Sequence, residues 1–104
     1  MDIAVFEARA EIMKALAHPA RLMFLEALSE GEMCVCELQE LSGTAMPTVS
    51  RHLSQMKNAG IVDSRREGNQ VYYRLLVPCV LNIFNCIDAV RRTEAERMAD
   101  SLAD

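Results

Sequence analysis

The stretch PTVSRHLSQMKNAGIVDSRREGNQVYYRL, residues 47–75, changes its hydrophobic period half-way along. Val49, Leu53 and Met56 fall at i, i+4 and i+7, one face of a helix that Pro47 opens in its first turn. Asn58-Ala59-Gly60 closes that helix, with glycine just past its end. The period then becomes two. Residues 61–66 and 70–75 read as strands, separated by Glu67-Gly68-Asn69, a loop with hairpin chemistry.

Working outward, residues 34–41 read as a short helix with Leu38 and Leu41 inward, and Ser42-Gly43-Thr44 is a turn. Two short helices about a glycine turn, followed by a hairpin, describe a winged helix-turn-helix. Upstream, Phe6, Ala10, Met13 and Ala17 keep helical spacing over 3–17. His18-Pro19 interrupts it, and Pro19 starts a second helix lined by Leu22, Leu25 and Leu28 that ends at Glu30-Gly31. Downstream, Pro78 stops the second strand and begins a last helix over about 78–101. The order is ααααββα: a mostly α chain with a β-hairpin wing. The expectation is one domain over 1–104, with a helix-turn-helix over about 34–58 and a wing over about 61–75.

Charge is distributed unevenly. The net charge is -4, yet residues 47–74 carry Arg51, Lys57, Arg65, Arg66 and Arg74 against only Asp63 and Glu67. One basic segment in an acidic chain is the footprint of a local DNA contact. The second helix of such a motif enters the major groove. Its buried face is Val49, Leu53 and Met56, which leaves Thr48, Ser50, Arg51, His52, Gln55 and Lys57 for DNA. Hydroxyls and Arg can take phosphate or base edges, and Gln can pair with adenine. Arg65 and Arg66, just before the hairpin tip, could reach an adjacent groove or the backbone. No apolar run approaches the roughly 18 residues of a membrane span. Met1-Asp2-Ile3-Ala4 lacks a signal-peptide start. The expected setting is the cytoplasm, with the four cysteines as reduced thiols or metal ligands.

KALAHPARLMFLEALSEGEMCVCELQEL at 14–41, followed by residues 47–75, resembles the ArsR/SmtB family of metal- and arsenical-responsive repressors over nearly the whole chain. The family's TVSRHLxxLKxAGLV pattern is met from Thr48 to Val62, with Met56 in a leucine position. The resemblance implies a homodimer that binds inverted repeats in operator DNA and lets go when its inducer binds. It also implies that Thr48, Ser50, Arg51, His52 and the wing arginines face DNA. Cys34-Val35-Cys36 resembles the sensing motif of the arsenite-responsive members, whose third cysteine falls where this chain has Gln39. Arsenite or another soft metal ion is therefore the expected inducer; none is needed for folding. The zinc sites of some relatives on the last helix use Asp, His and Glu, and this helix has no His.

The thiols can be read without that likeness. At a helix N-terminus Cys34 and Cys36 should have lowered pKa values, and thiolate binds soft ions. On an intact helix residues i and i+2 point about 200° apart, so joint binding requires the first turn to unwind. Cys79 and Cys86, two turns apart on one face of the last helix, are the candidates for further ligands, or simple packing residues.

Residues 77–90 are apolar on two sides, with Cys79, Ile83, Cys86 and Val90 on one stripe and Val80, Leu81, Phe84 and Ile87 on the other. A small domain cannot cover both. Helices 3–17 and 78–101 are therefore expected to form a homodimer. Three other readings remain: the same repressor switched by thiol oxidation or persulfide, a winged helix used only for protein contacts, and an enzyme. The last has no phosphate loop, no metal-hydrolase spacing and no nucleophile beside a base.

Overall fold

The computed structural model describes residues 1–103. It contains α1 (Ile3–Leu16), α2 (Pro19–Leu28), β1 (Met33–Cys34), α3 (Val35–Ser42), α4 (Met46–Asn58), β2 (Val62–Glu67), β3 (Gln70–Leu75), a 3-10 turn (Pro78–Leu81) and α5 (Asn82–Ala103). The expected winged helix-turn-helix is present: α3 and α4 form the motif, and β2 and β3 form the wing. Local chemistry sets the boundaries. Asp2 Oδ1 accepts from the Ala4 N–H at the start of α1. The extended His18 caps α2, its Nδ1 accepting from the Ala20 N–H, with Pro19 in the first turn. Gly43 ends α3 in the left-handed region at φ 66.

The sheet is antiparallel in the order β1-β3-β2. Glu67 pairs with Gln70, so the hairpin loop tightens to Gly68-Asn69. Gly68 takes φ 61 and Asn69 does not turn positive, the pattern of a II′ turn, which suits the strand twist. The two-residue β1 was not foreseen, because two residues carry no period. It joins the third helix to the wing: Met33 pairs with Tyr73, and Cys34 with Tyr72.

Phe24, Leu25, Leu38, Val49, Leu53, Met56 and Val62 form the innermost core. Two expectations on inward residues are corrected. On α2 the buried register is Phe24, Leu25 and Leu28, with Leu22 only half-buried. On α3 Leu38 is buried, but Leu41 is 46% exposed, because the helix ends one residue later and turns its last apolar side chain out.

The last helix is also corrected. Residues 78–81 form a 3-10 turn, and the α-helix starts at Asn82. Cys79 and Cys86 therefore do not lie on one continuous α-helical face. Val80 is buried, and Leu81, Ile83 and Phe84 pack on the core. Ile87, Val90, Met98 and Leu102 stay exposed, as do Ile3, Val5, Phe6, Ile12 and Met13 of α1. An apolar cleft of about 220 Å³ lies between the two helices, lined by Met13, Leu16, Leu22, Val80, Phe84 and Ile87 among others. The radius of gyration is 16.8 Å, against about 13 Å for a compact chain of this length. The protruding helices leave these apolar side chains exposed. Among the described residues no helix is long and apolar enough to cross a membrane.

Leu53 is fully buried on the inner face of α4. Leu53→Ala is expected to cost about 2–5 kcal/mol. Urea unfolding at fixed protein concentration measures it, and a loss below about 1 kcal/mol would contradict this packing.

Candidate nucleic-acid interface

Helix α4 is held by its back. Val49, Leu53 and Met56 have no exposed surface, and Ser50, Arg51, Ser54, Gln55 and Lys57 lie on the open side. Thr48 is half-buried in the first turn. Pro47 sits at the helix start, where its missing N–H costs nothing.

Two of the expected DNA-facing residues are engaged elsewhere. His52 is corrected outright: it is 7% exposed, and its Nδ1 accepts from Arg21 Nε at 2.9 Å. Its ring lies 4.2 Å from that of His18. Burial lowers the His52 pKa, and His18, Arg21 and Arg51 lower it further. Gln55 is exposed, but its Oε1 accepts from the same Arg21 guanidinium. Helical spacing placed both on the outer face; a polar partner on α2 drew them back. Arg21 itself was missed, since an arginine within an apolar register ordinarily signals a solvated edge.

The wing arginines differ from each other. Arg65 is gripped by Glu32, its Nε 3.0 Å and its Nη2 2.6 Å from Glu32 Oε1, and its Nη1 is 2.8 Å from Glu67. It also stacks over Tyr72 at 4.7 Å. These carboxylates raise its pKa further. The hydrogen bond from Arg65 holds the Glu32 carboxyl below the usual carboxylate range. Arg66 points the other way on the strand and is exposed. Among the described residues neither Arg51 nor Arg66 has an ion-pair partner. Lys57 donates to Ser64 Oγ at 2.7 Å, tying the end of α4 to the wing while keeping its charge at the surface.

The four cysteines lie on four elements. Cys34 ends β1, half-buried and extended, and Cys36 is exposed in the first turn of α3. The two are therefore not both on one helix, and the expectation that took both as helical is corrected in that premise. Cys36 Sγ is 3.7 Å from Gln70 Oε1 on the wing. The expected lowering of the Cys34 pKa is also corrected. The Glu37 backbone N–H pulls it down, but desolvation and the Glu37 carboxylate push it up, and the balance lies above the ordinary thiol value. That carboxylate accepts from the Cys34 backbone N–H at 3.2 Å. Cys79 and Cys86 are both exposed. Among the described residues no three His, Cys, Asp or Glu side chains gather into a metal-holding group.

Comparison with known proteins agrees with this architecture. The family model for bacterial regulatory proteins of the arsR family matches residues 18–64. The chain is 42% identical over 84 residues to an uncharacterised HTH-type transcriptional regulator of Methanocaldococcus jannaschii, covering 80% of this chain and 94% of that one. It is 48% identical over 65 residues to the arsenic resistance transcriptional regulator ArsR1 of Pseudomonas putida, covering 62% of this chain and 51% of that one. It is also similar to the homodimeric winged helix-turn-helix DNA-binding domain of a possible ArsR-family regulator from Mycobacterium bovis. That solution structure matches with a TM-score of 0.73 and 33% identity, over 91% of this chain and 88% of that one.

The Arg65–Glu32 pair yields a direct test. Glu32 titrates below the usual carboxylate range, so the pair persists above that range and is lost only as pH falls through the depressed value. The Arg65 Nε–H should be protected from solvent exchange at pH 6 and lose that protection in Glu32→Gln (about pH 6 being well above carboxylate titration). Equal exchange in both proteins by NMR would remove the grip.

Proposed function

The chain belongs to the ArsR family of bacterial transcriptional repressors, and from that membership we propose that its homodimer releases operator DNA when a thiophilic inducer, arsenite first, binds the thiols beside α3. The observation that carries this reading is the position of Cys34 and Cys36. One ends the strand that pairs with the wing, and the other begins the helix that packs on α4. A soft ion held by both pulls on the wing and on the reading helix together. The similarity to a regulator named for arsenic resistance supports the choice of ion.

On this reading α4 lies in the major groove, with Thr48, Ser50 and Arg51 towards the DNA. Arg66 and Lys57 supply phosphate contacts, and Arg65 contributes less because its charge is already matched by Glu32 and Glu67. The cytoplasm, where the DNA is, is its place of work. A third thiol for a three-coordinate ion comes from Cys79 or Cys86, of this subunit or the partner, since Gln39 supplies none.

Gln39 also favours a second reading. Two thiols suffice for a disulfide or persulfide, so the same repressor could answer an oxidant or sulfane sulfur instead.

Anaerobic titration of the reduced dimer on a duplex it selects from a random pool separates the two. Release by arsenite, abolished in Cys34→Ser and Cys36→Ser, is the expected result. Release only by an oxidant or sulfane sulfur selects the second reading, and release unaffected by either substitution overturns both. Binding a soft ion expels the Cys34 proton, so inducer affinity should rise with pH towards the raised thiol value.

Salt titration tests the contact set. Arg51→Ala and Arg66→Ala should each lower the slope of log affinity against log salt by about 1. Arg65→Ala should lower it by less, and equal slopes for all three would remove the distinction.

A further inference from the structure

Arg21 is a buried guanidinium with no carboxylate partner among the described residues, and it joins three elements. It is 9% exposed. Nη1 donates to the Ala15 carbonyl at 3.0 Å, Nε donates to His52 Nδ1 at 2.9 Å, and Nη2 donates to Gln55 Oε1. Burying an unpaired cation is costly. Ala15 lies in the last turn of α1, where carbonyls lack helical partners and the helix dipole is negative. Arg21 therefore completes the end of the dimer-forming helix with one nitrogen and grips the reading helix with two.

We infer that Arg21 is a positioning residue for DNA reading: through His52 and Gln55 it sets α4 against α1, and so sets the spacing of the two α4 helices in the dimer. This rests on the reading that α4 is the helix in the groove. The two half-sites are engaged together only if the paired helices match one duplex turn, about 34 Å apart. A rotation of α4 on its apolar back changes that match without exposing the core.

His52 gives the clamp a proton-sensitive member. Nδ1 accepts from Arg21, so its lone pair must be free, and the ring is neutral. Protonation places a hydrogen on Nδ1, which then faces the Nε–H, and the bond is lost. The charged groups acting on His52 are its own helix's Arg51, and Arg21 and His18 from α2 and its cap. None is a carboxylate that would stabilise the imidazolium. Across the cleft, Glu11 and Lys14 of α1 are paired with each other at 3.2 Å.

The sign of the pH effect separates this role from a direct DNA contact. A histidine on a phosphate binds DNA more tightly when protonated. The clamp loosens DNA as pH falls, because the neutral form is the one that holds. The folded pKa lies below the ordinary value, so the clamp is complete through the ordinary histidine range and fails only as pH drops below it, through the lowered value.

The test uses the full chain as a homodimer and the duplex it selects from a random pool. NMR of His52 should show Nδ1 unprotonated, and Arg21→Met should raise its proton affinity about tenfold, one pKa unit. Duplex affinity should fall about tenfold in Arg21→Met with dimerisation kept, and Arg21→Lys should not restore it, since an ammonium cannot span the three acceptors. His52→Asn keeps an oxygen near the Nδ1 position without titrating. Its affinity ratio between about pH 7.5 and 5.5 should flatten where the unaltered chain weakens. That comparison stands even if Arg21→Met fails to fold. Full affinity in Arg21→Met, tighter binding at low pH, or the same acid loss in His52→Asn overturns the inference. If the unaltered chain selects no duplex, the DNA reading itself fails; if it selects one and the Arg21 and His52 variants behave as the unaltered chain does, the positioning role alone fails.

Discussion

A reading helix must be gripped on one side and bare on the other, and the burial of Val49, Leu53 and Met56 supplies that asymmetry. With those three sealed against the core, helix geometry alone turns Ser50, Arg51 and Ser54 to solvent. The other elements serve that arrangement. Phe24 and Leu25 of α2 and Leu38 of α3 share the core behind α4, and the wing is tied to its end through Lys57 and Ser64. The apolar back fixes depth and tilt loosely, because apolar contacts are non-directional. The Arg21 hydrogen bonds add direction.

An acidic chain can bind a polyanion if its free cations are placed where the DNA lies. The chain does this by pairing some charges and sparing others. Arg65 is held between Glu32 and Glu67, whereas Arg51 and Arg66 carry unmatched charge among the described residues. Counting basic residues in a segment therefore overstates its attraction for phosphate. Glu32 lies 33 residues before Arg65 and reaches it only because β1 brings the third helix's approach beside the wing.

The same short strand changes the meaning of the Cys34-Val35-Cys36 motif. Had both cysteines been helical, their side chains would diverge. With Cys34 extended and Cys36 in the first helical turn, the motif sits across the junction of sheet and helix. A bond made there acts on both. The Glu37 carboxylate that satisfies the Cys34 N–H also disfavours its thiolate, and the balance holds this thiol above the ordinary thiol value.

The sequence alone determined the order of elements. The change of period at Gly60, the prolines at 19, 47 and 78, and the glycines at 43 and 68 act locally, through dihedral limits and side-chain alternation. It also identified Ser50 and Arg51 as outward, since these follow from helix phase. Tertiary structure decided the rest. It withdrew His52 into the core, bonded the still exposed Gln55 to Arg21, paired Arg65 with carboxylates, turned Leu41 outward, added β1 and delayed the last α-helix to Asn82. Each depends on a partner far along the chain or on where an element stops, and phase within one segment carries no information about either. A buried guanidinium between three elements is the clearest case: its cost and its compensation both lie outside the helix that bears it.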